Sequence, residues 1–279
     1  MKKLLTLVLA LVLTFSFAAC NKVDAKKDLD NVNEKGVIVV GMECAYAPYN
    51  WATTTQSEFT AKVSNGKFAD GYDVQVAKHI AKELGVNLEI KAIEWDGLIP
   101  ALQSGEIDMV IAGMSPTEKR KLSIDFSDTY FDSELVMVVL KDGAYANASK
   151  LSDFSGAKIT GQLNTFHYNV IDQINGVKKQ TALADFAALI QSLASGAIDG
   201  YVCERPGAIS AVSANSAFTY VEFADGQGFV CDPAESSISV GIRKGSSLTS
   251  KINDALKKLS SAQRTQMMDD AISRQPSEG

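Results

Sequence analysis

A hydroxyl, free backbone N–H groups and a guanidinium are predicted to meet in one short segment of this chain. Ser115 stands where a helix N-cap is expected, Pro116 suits the first helical position, and Glu118 completes a capping box. Arg120 follows one short turn later. Because the start of a helix and a guanidinium both bind anions, this segment predicts a site for a small carboxylate.

The residues around this segment alternate between predicted strands and predicted helices. Residues 37–41 are an apolar run ending in glycine, which indicates a buried strand, and residues 72–84 have the apolar spacing of a helix. Residues 88–93 predict a strand, 98–103 a helix and 109–112 another strand. This order is typical of a parallel sheet covered by helices.

The same alternation begins again further along the chain. Residues 102–108 and 193–199 resemble each other, since each contains a helix end, a glycine and an Ile-Asp pair before a buried strand. This match favours two equivalent units, although common turn chemistry could also produce it. The predicted elements of the second unit are a strand at 157–160, a helix at 166–174, a strand at 178–182, a helix capped by Asp185 that ends at Ala194, and a strand at 197–203.

Two extended stretches are predicted to connect these units. Residues 133–140 leave the first unit, residues 237–242 return to it, and a last helix begins near residue 248. Two lobes joined by two strands form a clamp that closes by hinge bending. The predicted boundaries are one lobe at 35–131 and 239–279, a second lobe at 135–234, and hinge crossings near 132–135 and 235–238.

The first twenty residues read as an export signal. Lys2 and Lys3 precede an apolar run at 4–17 that is short for a membrane span. The run ends in Ala18-Ala19-Cys20, which resembles a bacterial lipobox and predicts lipidation of Cys20; an ordinary cleavage after the two alanines is the alternative. Residues 21–34 are polar and predict a flexible tether.

Charge and cysteine content limit the function classes. Without the two lysines of the signal the formal charge changes from −6 to −8, which argues against nucleic acid as a partner. Besides Cys20 the chain has Cys44, Cys203 and Cys231, so a Cys203–Cys231 bridge and three reduced thiols both remain open. The two histidines, His79 and His167, lack metal-ligand spacing, so we expect no metal and no cofactor.

Four motifs in this order resemble the family 3 extracellular solute-binding proteins, the receptors of polar amino acid ABC importers. They are Gly71-Tyr72-Asp73-Val74, residues 95–102, Ala112-Gly113-Met114-Ser115 and Asp125-Phe126-Ser127. The resemblance covers the chain after residue 35. It implies an α/β, two-lobed type II periplasmic-binding fold in which each lobe has a mixed, mostly parallel sheet flanked by helices. Lys119-Arg120 replaces the family's usual Glu-Arg pair and keeps the arginine.

The resemblance also implies a set of ligand-binding residues. The ligand's α-carboxylate maps onto Arg120, with Gly113, Ser115 and Thr165 contributing hydrogen bonds. The α-ammonium maps onto Glu204, where most relatives carry aspartate. The neighbouring Arg205 offers an alternative, because it could make Glu204 a member of a structural ion pair.

The remaining predicted contacts concern the ligand's side chain. Tyr46 and Trp95 match the two aromatic positions that enclose this side chain in the family. Glu43 lies three residues before Tyr46, and a carboxylate beside two rings favours arginine or lysine over glutamine or cystine. The polar insertion at 53–67 predicts a surface hairpin or loop without an assigned function.

These observations predict a lipid-anchored, monomeric receptor that binds an amino acid and delivers it to the membrane permease of an ABC importer. Such a receptor performs no chemistry. The alternative is a dehydratase of prephenate-like substrates on the same fold, with Glu204 as the acid or base. A sensory receptor domain is a third hypothesis, which predicts a transmembrane and signalling region after the fold.

Overall fold

The computed structural model describes residues 23–132 and 134–276, which form an α/β fold of two lobes. The predicted signal and Cys20 lie outside the described residues. Each lobe contains a five-stranded mixed sheet flanked by helices, as the sequence predicts. No helix within these two ranges is both long enough and apolar enough to cross a membrane.

Lobe 1 contains the N-terminal half and the C-terminal end of the described chain. Its first elements are α1 (Asp28–Lys35), β1 (Val37–Met42), β2 (Ala45–Tyr46), β3 (Asn50–Thr53), β4 (Ala61–Lys62), β5 (Phe68–Asp70) and α2 (Tyr72–Leu84). They are followed by β6 (Asn87–Ala92), α3 (Trp95–Ser104), β7 (Met109–Val110), α4 (Glu118–Lys121) and β8 (Asp125–Asp132).

Lobe 2 is built between the two crossings of the chain. Its elements are β9 (Leu135–Leu140), β10 (Lys158–Thr160), α5 (Phe166–Val170), β11 (Lys178–Lys179), α6 (Phe186–Ala194), β12 (Gly200–Glu204), α7 (Arg205–Ala214), β13 (Phe218–Val221) and α8 (Pro233–Ser236). The chain then returns to lobe 1 through β14 (Ser237–Ile242), α9 (Thr249–Lys257) and α10 (Ser261–Arg274).

The two sheets have equivalent strand orders. The order is β6-β1-β7-β14-β8 in lobe 1 and β11-β10-β12-β9-β13 in lobe 2. In each sheet the first three strands run parallel and the last two pair antiparallel. The similar peptides at 102–108 and 193–199 lead into β7 and β12, the central strands of the two sheets. The match between these peptides therefore marks equivalent positions of two related lobes.

The prediction of a flexible tether is wrong from residue 25 onward. Residues 25–27 form a 3-10 turn, and α1 follows it with Asp28 only 1% exposed. Asp28 accepts both hydrogen bonds that Arg243 Nε donates, at 3.0 and 3.1 Å. A buried ion pair therefore attaches this segment to lobe 1, although its polar composition resembles that of a linker.

The insertion at 53–67 forms part of a small sheet on lobe 1. Strand β4 pairs with β5, which pairs with β3, in a four-stranded antiparallel arrangement with β2 at the other edge. Strand β2, at the edge furthest from β4, places Tyr46 at the boundary with lobe 2. The predicted surface hairpin therefore belongs to the small sheet that also carries Tyr46, one of the predicted site residues.

Candidate functional site

A cavity lies where the two lobes meet, and residues of both lobes line it. Its volume of about 10 Å³ is room for one water molecule. An open cleft of about 500 Å³ adjoins it and shares Trp95, Arg120, Thr165 and Phe166 with its wall. The residues lining the cavity are Tyr46, Trp95, Ala112, Gly113, Ser115 and Arg120 from lobe 1 and Gln162, Thr165, Phe166 and His167 from lobe 2.

Arg120 carries the positive charge of this site. Its Nη1 donates to the Ser115 carbonyl at 2.8 Å, and its Nη2 donates across the cleft to the Asn164 carbonyl at 3.2 Å. Burial lowers the pKa of Arg120 to about 10, so the guanidinium remains charged at neutral pH. No carboxylate of the described residues forms an ion pair with Arg120, and its charge is therefore available to an anion.

The turn before Arg120 differs from the predicted one. Helix α4 begins at Glu118, and the N-cap is Thr117, whose hydroxyl accepts from the Arg120 N–H at 3.3 Å. The predicted N-cap at Ser115 is wrong because Ser115 lies in a turn that precedes the helix, where its carbonyl accepts from the Thr117 N–H at 2.9 Å. Ser115 is therefore a buried residue of the cavity wall whose hydroxyl is not used in capping.

Gly113 occupies a position that favours glycine. Its φ is +60°, and a Cβ atom there would lie 3.2 Å from the ring of Tyr46. The Gly113–Ser115 backbone consequently approaches the Tyr46 ring closely and forms the floor of the cavity.

Lobe 2 contributes Thr165 at the start of α5. Thr165 has the N-cap position, but its hydroxyl donates to the Gln162 carbonyl at 2.7 Å and makes no capping bond. The residue is 4% exposed and faces the same cavity as Arg120. The predicted opposing wall therefore exists, and Thr165 is part of it.

Glu204 ends β12 as a buried carboxylate with a partner on each oxygen. The Tyr46 hydroxyl crosses from lobe 1 and donates to Oε2, while His167 Nε2 lies 3.0 Å from Oε1. Burial by itself would raise the pKa of Glu204. His167 and the hydrogen bond from Tyr46 lower this pKa by a larger amount, so it lies below its ordinary value. Arg205 pairs instead with Glu222 at 2.8 Å, which removes it as the partner of Glu204.

Glu43 does not line the cavity itself, but it contacts Gln162, which does. Gln162 Nε2 donates to its Oε1 at 3.0 Å across the lobe boundary, and its buried Oε2 has no hydrogen-bond partner. Burial raises the pKa of Glu43 to about 8, because the hydrogen bond from Gln162 only partly offsets the loss of solvation. At neutral pH this carboxyl group is therefore mostly protonated.

The two predicted aromatic residues both line the cavity, and each contacts a protein group. Trp95 has its ring centre 4.9 Å from the guanidinium carbon of Arg120. Tyr46 stacks on Phe186 of lobe 2 with ring centres 4.1 Å apart and an interplanar angle of 11°. Both rings therefore cover the cavity from lobe 1, and the Tyr46 ring also packs against lobe 2.

A family model describes nearly the whole folded chain. The model of the bacterial extracellular solute-binding proteins, family 3, matches residues 38–271. The chain belongs to this family.

Relatives within the family bind several amino acids. The chain is 29% identical over 267 residues to the arginine-binding extracellular protein ArtP of Bacillus subtilis, with 93% of each chain covered. Other relatives are named as histidine-, L-cystine- and glutamine-binding proteins.

Two solved structures show the fold at similar identity. A substrate-binding protein of an amino acid ABC transporter from Streptococcus pneumoniae, bound to L-arginine, has a TM-score of 0.76 and 25% identity over 88% of this chain and 98% of its own. The ancestral amino acid-binding protein AncCDT-1, described as a precursor of cyclohexadienyl dehydratase, has a TM-score of 0.70 and 30% identity over 88% of this chain and 99% of its own.

The structure brings together six of the eight predicted site residues of this family 3 protein in one cavity wall. They are Tyr46, Trp95, Gly113, Ser115, Arg120 and Thr165. The two acids, Glu43 and Glu204, lie behind the wall, and each contacts a residue that lines it.

Sequence reasoning missed four residues that line the cavity, which are Ala112, Gln162, Phe166 and His167, and it missed Phe186, which stacks on Tyr46. Gln162 and His167 flank the predicted turn at Thr165, so proximity to that turn was the available signal. The sequence analysis considered His167 only as a possible metal ligand, and a position beside the acid Glu204 was not among its predictions. All three cysteines of the described residues are free.

Proposed function

We propose that this chain is an extracytoplasmic receptor that binds an amino acid between its lobes and delivers it to an ABC importer. The observation that carries the proposal is a cavity with the Arg120 guanidinium on lobe 1 and the Glu204 carboxylate next to its wall on lobe 2. A zwitterion has the complementary pair of charges, so its binding favours the closed arrangement of the lobes. This role requires no chemical step and no cofactor.

The α-carboxylate would bind at Arg120, with Gly113, Ser115 and Thr165 supplying hydrogen bonds. The Arg120 guanidinium has five N–H donors in a planar fork, and the two protein carbonyls it reaches leave donors for a carboxylate. The α-ammonium would bind Glu204, which is held as an anion despite its burial. Because the cavity holds about one water molecule, the lobes or their side chains must move apart to admit the ligand.

We favour arginine or lysine as the ligand, while glutamine and cystine remain alternatives. Glu43 has a buried oxygen without a partner and a raised pKa, both of which a neighbouring cation would relieve. Tyr46 and Trp95 supply ring faces suited to a guanidinium or an ammonium. The name of the ArtP relative agrees with this choice, and the names of the other relatives keep the alternatives open.

A lipid anchor at Cys20 would hold the receptor at the membrane surface. The folded part begins with the 3-10 turn Ala25–Lys27, so few residues separate Cys20 from lobe 1. Such a short connection would keep the receptor close to its permease. Mass spectrometry of the protein from a bacterial membrane fraction tests this, because lipidation replaces the first residues with a diacylated Cys20.

Thermal unfolding with each of the twenty amino acids tests the proposed binding. A ligand at 100 times its Kd stabilises the folded state by about 2.7 kcal/mol. For a chain of this size that corresponds to a rise in Tm of roughly 5–10 °C. We expect arginine or lysine to give the largest rise and Glu43→Gln to reduce it. A largest rise with glutamine or cystine would contradict the ligand choice, and no rise with any amino acid would contradict the receptor function.

The dehydratase hypothesis also has a specific observation in its favour. Tyr46, His167 and Glu204 form a buried cluster of proton-donating and proton-accepting groups beside the cavity. The lowered pKa of Glu204 makes it a carboxylate anion at neutral pH, which suits ammonium binding better than general acid catalysis. Incubation of the purified protein with prephenate or arogenate decides the matter, since appearance of an aromatic product would establish the enzyme.

A further inference from the structure

The position of His167 suggests a role beyond lining the cavity. The ring is 4% exposed and is held between two aromatic rings, with centres 4.3 Å from Phe166 and 6.1 Å from Phe186. Its Nε2 lies 3.0 Å from Glu204 Oε1, which is an ion-pair distance without hydrogen-bond geometry, and both ring nitrogens are buried without a hydrogen-bond partner among the described residues. A buried imidazole with an unpartnered nitrogen is costly unless another state of the site uses it.

Glu204 has two partner groups, and each comes from a different element. Tyr46 on β2 donates to one oxygen and His167 on α5 approaches the other, at the end of β12. An incoming ammonium can therefore reach a Glu204 oxygen only beside or in place of one of these partners. Tyr46 is neutral, so its hydroxyl can share the carboxylate with an ammonium. A protonated His167 cannot do so without like-charge repulsion.

We propose that His167 is a specificity-determining residue that pairs with Glu204 as a cation and releases its proton when an amino acid's ammonium binds there. The inference rests on the proposed function, since it concerns the same ammonium position. It predicts that amino acid binding strengthens as the pH rises through the titration of His167. It also predicts that a ligand without the α-amino group binds with the opposite pH dependence, because the imidazolium then supplies the missing cation.

The other titratable groups around His167 have to be distinguished from it. On β12, burial raises the pKa of the Cys203 thiol well above its ordinary value, and burial does the same for Tyr46 on β2. On α4 the pKa of Arg120 is about 10, and at the start of α6 the Asp185 carboxylate caps the Ala188 N–H.

Two more acids, both in lobe 1, titrate near neutrality. Burial raises the pKa of Glu43 to about 8 and that of Asp73 to about 6. Glu43 contacts Gln162 and can release a proton to solvent when a cationic ligand side chain binds beside it. The experiment must therefore separate His167 from Glu43.

The native protein allows a direct measurement, because His167 and His79 are its only histidines. His79 lies on α2 with its Nε2 2.9 Å from the Ala255 carbonyl, away from the site. Proton NMR of the two imidazole C–H signals, assigned with His79→Gln, gives a titration curve for each ring. The probe is the amino acid with the largest thermal shift among the twenty, which we expect to be L-arginine.

We expect saturating ligand to lower the titration midpoint of His167 by about one pH unit or more and to leave that of His79 unchanged. A shift of this size follows from one like charge placed a few ångströms away in a site of intermediate dielectric. A merely structural histidine would titrate alike with and without ligand, and this outcome would overturn the proposal while leaving the receptor function intact. If no amino acid binds, the receptor function and the inference both fail.

Calorimetry with matched variants supplies the second readout. In buffers of different ionisation enthalpy, native protein and His79→Gln should release the same number of protons on binding, and His167→Gln should release fewer. Glu43→Gln should still release the protons that come from His167. Equal release from native protein and His167→Gln would assign the protons to other groups and overturn the proposal. The α-desamino analogue 5-guanidinopentanoic acid should bind native protein more tightly at pH 5.5 than at pH 7.5, and His167→Gln should remove that preference.

Discussion

Two arginines, the buried Arg243 and the half-buried Arg120, differ in how the protein uses their charges. Arg243 donates to both oxygens of Asp28, to an oxygen of Asp108, and to the carbonyls of Leu102 and Ile107. Arg120 reaches two carbonyls and one aromatic ring. Arg243 thus has two ion-pair partners and an acceptor for each nitrogen, whereas Arg120 forms no ion pair with any described residue and reaches only two carbonyl acceptors there.

The same difference separates the acids of the two regions. Asp28 also accepts from the Ser246 hydroxyl at 2.6 Å, and Asp108 accepts from the Val39 N–H at 3.0 Å. In the site, Glu43 Oε2 and His167 Nδ1 are buried without partners. Saturated polar groups hold a lobe together, while unsatisfied ones at a lobe boundary indicate a ligand that completes them.

Removing the arginine of the structural cluster should have the largest effect. We expect Arg243→Met to lower the free energy of unfolding by about 3–5 kcal/mol, because Asp28 and Asp108 then remain buried without a counterion. Urea unfolding monitored by circular dichroism measures this loss. Amino acid affinity of the folded fraction should stay the same, and a parallel loss of affinity would show that the two clusters are coupled.

Removing the arginine of the site should affect binding instead. We expect Arg120→Ala to weaken amino acid binding by about 100-fold or more, since a buried carboxylate would lose its only cation. Calorimetry at one pH provides the measurement. Stability should change by less than about 1 kcal/mol, because Arg120 pairs with no carboxylate of its own. An unchanged affinity would refute the assignment of the carboxylate position.

The unsatisfied acid predicts a pH dependence of stability. Burial raises the pKa of Glu43 from 4.5 to about 8, so the folded protein keeps a proton that the unfolded chain releases. The free energy of unfolding contributed by this group therefore falls as the pH rises from about 5 to about 8. Glu43→Gln should remove about 3 kcal/mol of that fall, measured by urea unfolding at both pH values. The exposed Glu34→Gln is the control, and equal pH slopes for all three proteins would contradict the raised pKa.

The smallest effect is expected at the edge of the cleft. Asn164 Nδ2 donates to Asp96 Oδ1 at 2.8 Å between the lobes, and this hydrogen bond is exposed. Asn164→Ala should weaken ligand binding by about two- to fivefold, because an exposed hydrogen bond contributes less than about 1 kcal/mol. Stopped-flow fluorescence of Trp95 should attribute the change to faster release. A loss as large as that of Arg120→Ala would show that this contact controls closure.

Much of the fold could be predicted because it depends on local patterns. Helix α2 occupies residues 72–84 as its apolar spacing predicts, and α6 begins after the Asp185 cap. The equivalent peptides at 102–108 and 193–199 lead into equivalent strands. Short-range predictions failed where two local signals compete, as in the turn at Ser115 and Thr117, since either hydroxyl could have capped the helix.

The site was predictable as a set of residues but not as a set of contacts. The residue types and their order specified the family, the two lobes and six of the residues that line the cavity between them, because these follow from motifs a few residues long. Only the tertiary structure decided that Asp28 pairs with Arg243 and that Tyr46 and His167 share Glu204. These partners are far apart in the chain, and their charges and pKa values depend on burial and on neighbours that folding alone brings together.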